Sequence, residues 1–200
     1  MSILALTSNT LIGTPAAGNI EYNGQFFGTD SAASRAQMQR ITQGTAVAST
    51  SGTSIDFTGI PAWVKRITVM LSGVSTNGTS PQIIQLGDSG GIEITGYLGA
   101  ASTSSGAGTN NDNYTTGFGL TGLSAPSAAT IVHGIVTITA LDPATNLWAC
   151  AGVLGTSSSA ATTQIGGSKT LSATLDRIRI TTVGGTNTFD AGTINIIYEG

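Results

Sequence analysis

The chain has 200 residues, of which 40% are hydrophobic, 6% are aromatic and only 8% are charged, and 28 are glycine. Average domains contain about 25% charged residues, and helical bundles depend on charged residues at helical spacing, so helix-rich architectures are excluded. Seven basic residues and a net charge of −3 exclude the basic surface of a nucleic-acid-binding protein, and a mean hydropathy of +0.22 excludes a disordered chain.

Residues 1–50 are predicted to form a small amino-terminal arm for attachment or oligomerisation. Asn-Gly at 23–24 separates two short apolar runs, which is a strong hairpin signal because both turn positions favour positive φ. Asp30 or Ser31 then caps a predicted short helix that extends to Ile41. Residues 42–54 are mostly Thr, Ser, Ala and Gly, which is typical of a linker. The uncharged start of the chain predicts no secretory signal.

Residues 51–200 carry repeated strand signals and predict one β domain. Apolar and polar residues alternate with period two over 63–71, where Pro61 stands at a possible strand start. Asp142-Pro143 begins a predicted turn at 142–146. The other predicted strands are 82–86, 92–97, 131–141, 147–154, 171–183 and 193–198. These strands and the long loop at 99–119 favour an all-β, jelly-roll-like antiparallel β-sandwich.

One segment imitates a catalytic motif. Gly87-Asp88-Ser89-Gly90-Gly91 matches the sequence around the nucleophile of serine proteases and the G-x-S-x-G elbow of α/β hydrolases. The single histidine, His133, follows Ser89 in the chain, whereas in the chymotrypsin-like proteases the histidine precedes the serine. A strand rather than a helix is predicted after Ser89. We therefore interpret residues 86–91 as a β-turn, with a hydrolase at Ser89 as the least favoured alternative.

The remaining metal-ligating and nucleophilic residues are interpreted as packing residues. His133 lies in an apolar strand, and one histidine with one distant cysteine is too few for a zinc site. Cys150 is interpreted as a small hydrophobic residue in a buried strand. Residues 110–113, Asn-Asn-Asp-Asn, offer oxygen ligands but only one carboxylate, which argues against calcium. No cofactor, catalytic residue or membrane span is predicted.

The loop at 99–119 is the predicted contact surface. Small polar residues interleaved with aromatic rings are typical of adaptable binding surfaces. The candidate receptor or glycan contacts are Asn111, Asn113, Tyr114 and Phe118, with a ligand-free rim as the alternative.

The shortage of surface charge predicts self-association. Most outward positions of the predicted strands are Thr, Ser or Ala, whereas a solitary soluble domain carries more charge. We interpret these faces as contacts in a closed symmetric oligomer. The alternative is that threonine simply suits exposed strands.

Three segments resemble proteins of tailed-bacteriophage particles, chiefly tail-fibre and other appendage sequences. Residues 15–24, PAAGNIEYNG, with Phe26, Phe27 and Ser34-Arg35 after them, are similar to a P-x-A-G-x-I-E-Y-[DN]-G-x-x-[FY] segment of phage fibre proteins. Residues 59–69 and 188–198 resemble the first and last strands of a β-sandwich module in such proteins. The resemblance implies a trimeric, surface-displayed β module whose amino-terminal part docks onto the particle.

The resemblance also implies the partners, which are further copies of the chain and other virion proteins. The candidate attachment or oligomer contacts are Tyr22, Phe26, Phe27, Arg35 and Arg40. Because the chain lacks the extended shaft of long fibres, we predict a short fibre or spike on the particle surface, with a host-surface glycan as a further candidate partner. The alternatives are a capsid decoration protein and a carbohydrate-binding module.

Overall fold

The computed structural model describes residues 10–11, 13–14, 16–23 and 25–200, which form two compact units divided between Arg40 and Ile41. Every regular element in these residues is a β-strand, and every strand pair is antiparallel, so the predicted all-β class is confirmed. The prediction of no secretory signal concerns residues outside the described part. Pro15 and Gly24, which belong to the fibre-like segment and its predicted turn, also lie outside it.

The amino-terminal unit contains a three-stranded sheet. Its strands are β1 (Ile20–Tyr22), β2 (Phe26–Thr29) and β3 (Arg35–Gln37), in that order. The predicted hairpin is confirmed, because Tyr22 pairs with Phe26 and Ile20 with Gly28.

The predicted helix between Asp30 and Ile41 is wrong. Asp30 caps a tight turn instead, since its Oδ1 accepts hydrogen bonds from the N–H groups of Ala32 and Ser34, both at 2.9 Å. Ala33 has a φ of 57°, which reverses the chain into β3. Neither Asp30 nor Ser31 caps a helix, because the local turn and strand pairing prevail over the helix propensity of the alanines.

The larger unit contains two sheets. In chain order its strands are β4 (Ile41–Gln43), β5 (Val47–Ala48), β6 (Ile55–Thr58), β7 (Arg66–Thr76), β8 (Gln82–Asp88), β9 (Gly91–Ile92), β10 (Tyr97–Ser105), β11 (Gly108–Tyr114), β12 (Phe118–Gly119), β13 (Val132–Asp142), β14 (Leu147–Thr156), β15 (Ala161–Thr170), β16 (Arg177–Thr182) and β17 (Phe189–Glu199). The nine-stranded sheet has the order β11-β10-β15-β14-β13-β7-β17-β4, with β5 also on β17. The five-stranded sheet has the order β12-β8-β16-β6, with β9 on β8.

The buried faces of the two sheets share one hydrophobic core, which is consistent with a β-sandwich. In β7 every second residue from Ile67 to Leu71 is buried, and in β14 Trp148, Cys150, Leu154 and Thr156 are buried on the same face, as period-two alternation dictates. Ile138 of the large sheet and Ile178 and Ile180 of the small one are completely buried. The fold therefore leaves the opposite face of the large sheet turned away from this core.

The strand predictions are largely confirmed, with two corrections. Most of the predicted strand at 92–97 is not a strand. Gly96 has a φ of 76°, and the Glu93 side chain binds Lys169 and Ser172. The predicted strand at 171–183 begins only at Arg177. Residues 41–48, which precede the predicted domain boundary near 50, supply β4 and β5 and pair with β17.

Three adjacent strands, β7, β13 and β17, bend where their register shifts. Gly192 lies at one shift with a φ of 100°, and a Cβ atom there would stand 2.5 Å from the carbonyl oxygen of Gly73. We expect Gly192→Ala to lower the free energy of unfolding by about 2–4 kcal/mol, because backbone strain and overpacking add. Urea denaturation measures this loss. Gly155→Ala is the matched control, since a Cβ there meets no atom within 4 Å, and an equal loss in both variants would contradict the explanation.

Candidate functional site

Ser89 lies in a hairpin turn, as predicted. Gly87 pairs with Ile92 and Asp88 with Gly91, so Ser89 and Gly90 form a two-residue connection between β8 and β9. The Asp88 carboxylate accepts a hydrogen bond from the Gly90 N–H at 2.7 Å. The strand after the serine replaces the helix that a nucleophile elbow requires.

His133 and Cys150 are held within the strands. The Nδ1 atom of His133 accepts a hydrogen bond from the Gly73 N–H at 3.1 Å, and its Nε2 lies 3.1 Å from the Ser157 hydroxyl. The imidazole thus links β13 to β7 at the register shift between these strands, and His133 is a strand residue, as predicted. Cys150 is buried, and burial raises the pKa of its thiol to about 12, so the thiolate that would make it reactive is disfavoured.

A charged network missed by sequence reasoning anchors the segment after β9. Glu93 forms an ion pair with buried Lys169 and accepts a hydrogen bond from the Ser172 N–H at 2.7 Å. The Ser172 hydroxyl donates to Asp88 at 2.7 Å, and the Tyr97 hydroxyl donates to the Glu93 carbonyl at 3.0 Å. Glu93 is 76 positions from Lys169 and 79 from Ser172 in the chain. No local sequence pattern therefore predicts these contacts.

This network predicts acid sensitivity. The hydrogen bonds from Ser172 and Gly90 hold the pKa of Asp88 below its usual range. Burial alone would raise the pKa of Glu93, but hydrogen bonds from Lys169 and Ser172 outweigh burial and lower it. Depressed carboxyl pKa values stabilise the fold above the unfolded values of about 4, and that stability is lost as the pH falls through the folded values.

We therefore expect the free energy of unfolding to decrease as the pH is lowered below about 4. The decrease should be less steep in an Asp88→Asn, Glu93→Gln double variant. Urea denaturation at several pH values measures both slopes. Equal slopes for the double variant and the unsubstituted chain would show that the two carboxylates are not responsible.

The predicted contact loop at 99–119 is a β-hairpin of β10 and β11, and two of its four candidate residues are in the core. Tyr114 is 4% exposed and its hydroxyl donates to the Thr121 carbonyl at 2.6 Å. Phe118 is 1% exposed, with its ring edge-on to Tyr97 at a centroid distance of 5.1 Å. The rings therefore cannot serve as surface contacts in this structure. Asn111 and Asn113 are exposed on β11.

The candidate attachment residues lie in the amino-terminal unit. The Tyr22 and Phe26 rings are 5.0 Å apart, and Arg35 forms an ion pair with Glu21 at 2.7 Å. Phe26 is 44% exposed. Phe27 is half-buried in β2, and Arg40 is exposed at the end of the unit. Tyr22, Phe26 and Arg35 are thus brought onto one small sheet.

Within the described part of the chain, no group of three or more His, Cys, Asp or Glu side chains could hold a metal ion. In the segment 110–113, the Asp112 carboxylate accepts a hydrogen bond from the N–H of its neighbour Asn113 at 2.9 Å. Among the same residues, no helix has the length and hydropathy needed to cross a bilayer.

A broad surface lies on the side of the nine-stranded sheet that faces away from the core. We call it the outer face and define it by the outward residues of β10, β11, β13, β14 and β15. These residues are Leu98, Ala100, Ser102, Asn111, Asn113, Ile135, Thr137, Thr139, Ala149, Ala151, Val153, Gln164, Gly166 and Ser168. None of these fourteen described side chains is charged.

Strand register aligns the outer face in rows. One row runs Ile135, Val153, Gln164, Ser102 and Asn111, each paired with the next across the sheet. Ile135 is 54% exposed, Val153 60% and Leu98 76%. The neighbouring row, centred on Ala151 and Gly166, has small side chains that leave a shallow depression. The outer face is therefore broad, neutral and partly apolar.

Comparisons with protein-family models, with curated proteins and with solved structures found no match for this chain.

Proposed function

We propose that this chain is a non-enzymatic structural protein of a tailed-bacteriophage particle, displayed on the particle surface as a homotrimeric short fibre or spike. In this proposal three copies associate through the outer face, and the amino-terminal unit attaches the trimer to other virion proteins. The finer description of the larger unit as jelly-roll-like belongs to the proposal. It is supported by connections that pass between the sheets, as from β7 to β8 and from β15 to β16.

The outer face is the observation that carries the proposal. Around a threefold axis the same face of every copy turns towards the axis, so a charge on it would meet its own copies. The fourteen residues of the outer face avoid this repulsion. Its exposed Ile135, Val153 and Leu98 would gain from leaving water, and apolar patches of this kind mark interaction sites.

The dimensions of the outer face suit the central part of an interface between copies. Five strands about 4.8 Å apart, over five residues at about 3.3 Å each, cover roughly 400 Å². Stable interfaces bury about 800 Å² on each partner. The flat area of the outer face is therefore about half of what a stable contact buries, and side-chain relief raises its accessible area above that.

The charges of the larger unit lie elsewhere and are mostly paired. Arg179 holds Asp56 through two hydrogen bonds of 2.7 Å on the small sheet, and Arg177 holds Asp176. The Arg66–Glu199 ion pair of β7 and β17 lies on the same side of the large sheet as the outer face and borders it, because Arg66 pairs with Thr139. The outer face is therefore a neutral region with a charged border.

The amino-terminal unit supports attachment because its three-stranded sheet and the residue after β3 expose apolar side chains. Ile20 is 68% exposed, and Phe26 and Met38 are each 44% exposed. A partner protein that covers these side chains would supply the burial that three short strands lack.

Antibodies against the purified chain, applied to intact phage particles and imaged by electron microscopy, test the proposed location. Label on the tail or its tip supports the fibre or spike. Label spread over the head would support the decoration alternative instead, and particles without any label would contradict a virion protein.

A further inference from the structure

A cleft of about 570 Å³ opens at one end of the larger unit, and we call it the end cleft. It lies between the turn that joins β10 to β11, the turn that joins β14 to β15, and the segment that follows β12. This volume lies within the range of about 300–1,000 Å³ that is usual for small-molecule sites. None of its lining residues belongs to the outer face.

The polar groups of the end cleft are neutral. Hydroxyl and amide side chains line it, contributed by Ser105, Asn110, Thr121, Thr130, Thr156 and Ser159. Asn110 and Ser159 make no side-chain hydrogen bond to another described residue, which leaves an amide and a hydroxyl available to a ligand. No Asp, Glu, Lys, Arg or aromatic side chain is among the described lining residues.

The back of the end cleft is fixed by buried hydrogen bonds. The Thr103 hydroxyl lies 2.7 Å from the Thr163 hydroxyl and accepts a hydrogen bond from the Gly122 N–H at 2.7 Å. Gly122 fits closely here, because a Cβ atom would stand 2.3 Å from the Asn110 carbonyl oxygen. Leu123 and Ala161 add an apolar surface. The site is therefore formed before a ligand arrives.

A small recess adjoins the end cleft and shares Thr121 and Thr130 with it. Gln82 lines the recess and is 6% exposed, and its side-chain carbonyl oxygen accepts no hydrogen bond from the described residues. A buried carbonyl without a donor is costly. The recess has about 10 Å³ of space for the centre of a water-sized group, which is enough for one hydroxyl or one water.

We propose that the end cleft binds a neutral saccharide unit. Sugar hydroxyls both donate and accept, so they can satisfy the Asn110 amide, the cleft hydroxyls and, through a group in the recess, the Gln82 carbonyl. The C–H groups of a sugar ring can pack on Leu123 and Ala161. An anionic ligand would find no cation in the cleft, and a purely apolar one would leave Gln82 and Asn110 without partners.

Saturation-transfer difference NMR on the full chain tests the site, with glucose, galactose, mannose and N-acetylglucosamine as probes. A ligand of this size with a few polar contacts binds with a Kd on the order of 1 mM. We expect transfer to at least one of these sugars. The absence of transfer to all four would overturn the proposal.

Matched variants locate the binding. Asn110→Ala should weaken binding about tenfold, as expected for loss of a hydrogen-bonded partner, whereas Asn111→Ala, the adjacent residue on the outer face, should leave it unchanged. Ala107→Trp, in the exposed turn at the mouth, should block the cleft without entering the core. Equal binding by all three variants would place the sugar elsewhere and refute the assignment. Since the inference does not depend on trimer formation, the two proposals can fail separately.

Discussion

Replacing Phe118 by alanine should lower the free energy of unfolding by about 3–5 kcal/mol, the range for truncating a buried aromatic side chain. Phe118 is 1% exposed and packs edge-on against Tyr97. Its strand pairs with β8, where Phe118 lies opposite Ile84. The surroundings cannot collapse easily, because Phe118 is held between Ile84 of the small sheet and Tyr97 of the large one, and a cavity would remain.

Urea denaturation followed by tryptophan fluorescence measures this loss. Leu141→Ala is the matched control, because Leu141 is 67% exposed on β13 and surface substitutions usually change stability by less than about 0.5 kcal/mol. A loss in Phe118→Ala as small as in the control would mean that Phe118 is outside the core. The earlier interpretation of Phe118 as a binding contact would then be preferred.

Placing a charge at the centre of the outer face should dissociate the proposed trimer. Ala151 is exposed between Thr137 and Gly166, so a glutamate fits there in the isolated chain. In the trimer, three glutamates would meet near the axis. Like charges forced together at an interface cost several kcal/mol, and every 1.4 kcal/mol weakens association tenfold. We expect Ala151→Glu to be monomeric at concentrations where the unsubstituted chain is trimeric.

Sedimentation velocity reports the species present, and circular dichroism checks that the variant is folded. Thr58→Glu is the matched control, since Thr58 is exposed on β6 of the small sheet, opposite Arg177. It adds the same charge away from the outer face and should leave the assembly intact. Dissociation by both variants would indicate a general charge effect, and dissociation by neither would remove the outer face from the interface.

The sequence allowed prediction of the fold class and of elements whose signal is local. Alternation of apolar residues marks β7, β13, β14 and β17, and turn chemistry places the hairpin after Tyr22 and the turn at 142–146. The turn at Asp142 forms as expected, since its carboxylate accepts a hydrogen bond from the Ala144 N–H at 3.0 Å. In these segments the residues that fix the structure are close together in the chain.

β15 was missed because its sequence, ATTQIGGSKT, has little apolar alternation. It is a strand because β14 and β10 pair with it on both sides, with Ile165 and Thr163 facing the core. The helix predicted after Asp30 failed for the complementary reason, since local propensity is weak against strand pairing.

The candidate surfaces depended even more on long-range register. Composition suggested a contact loop with Tyr114, but whether a residue faces water follows from pairing that a single sequence does not specify. Low charge did predict neutral strand faces. Only the register of five strands shows that Ile135, Val153 and Leu98 share one of them. Only the loop positions bring Asn110 and Thr130 into one cleft, beside the recess that Gln82 lines.

The mass of the unsubstituted chain in solution, measured by sedimentation equilibrium over a wide dilution series, tests the proposed self-association most directly. We predict a species of three times the 20.0 kDa chain mass that persists on dilution to the low micromolar range. A single species of 20.0 kDa at every concentration would contradict the assignment of the outer face as the contact between copies.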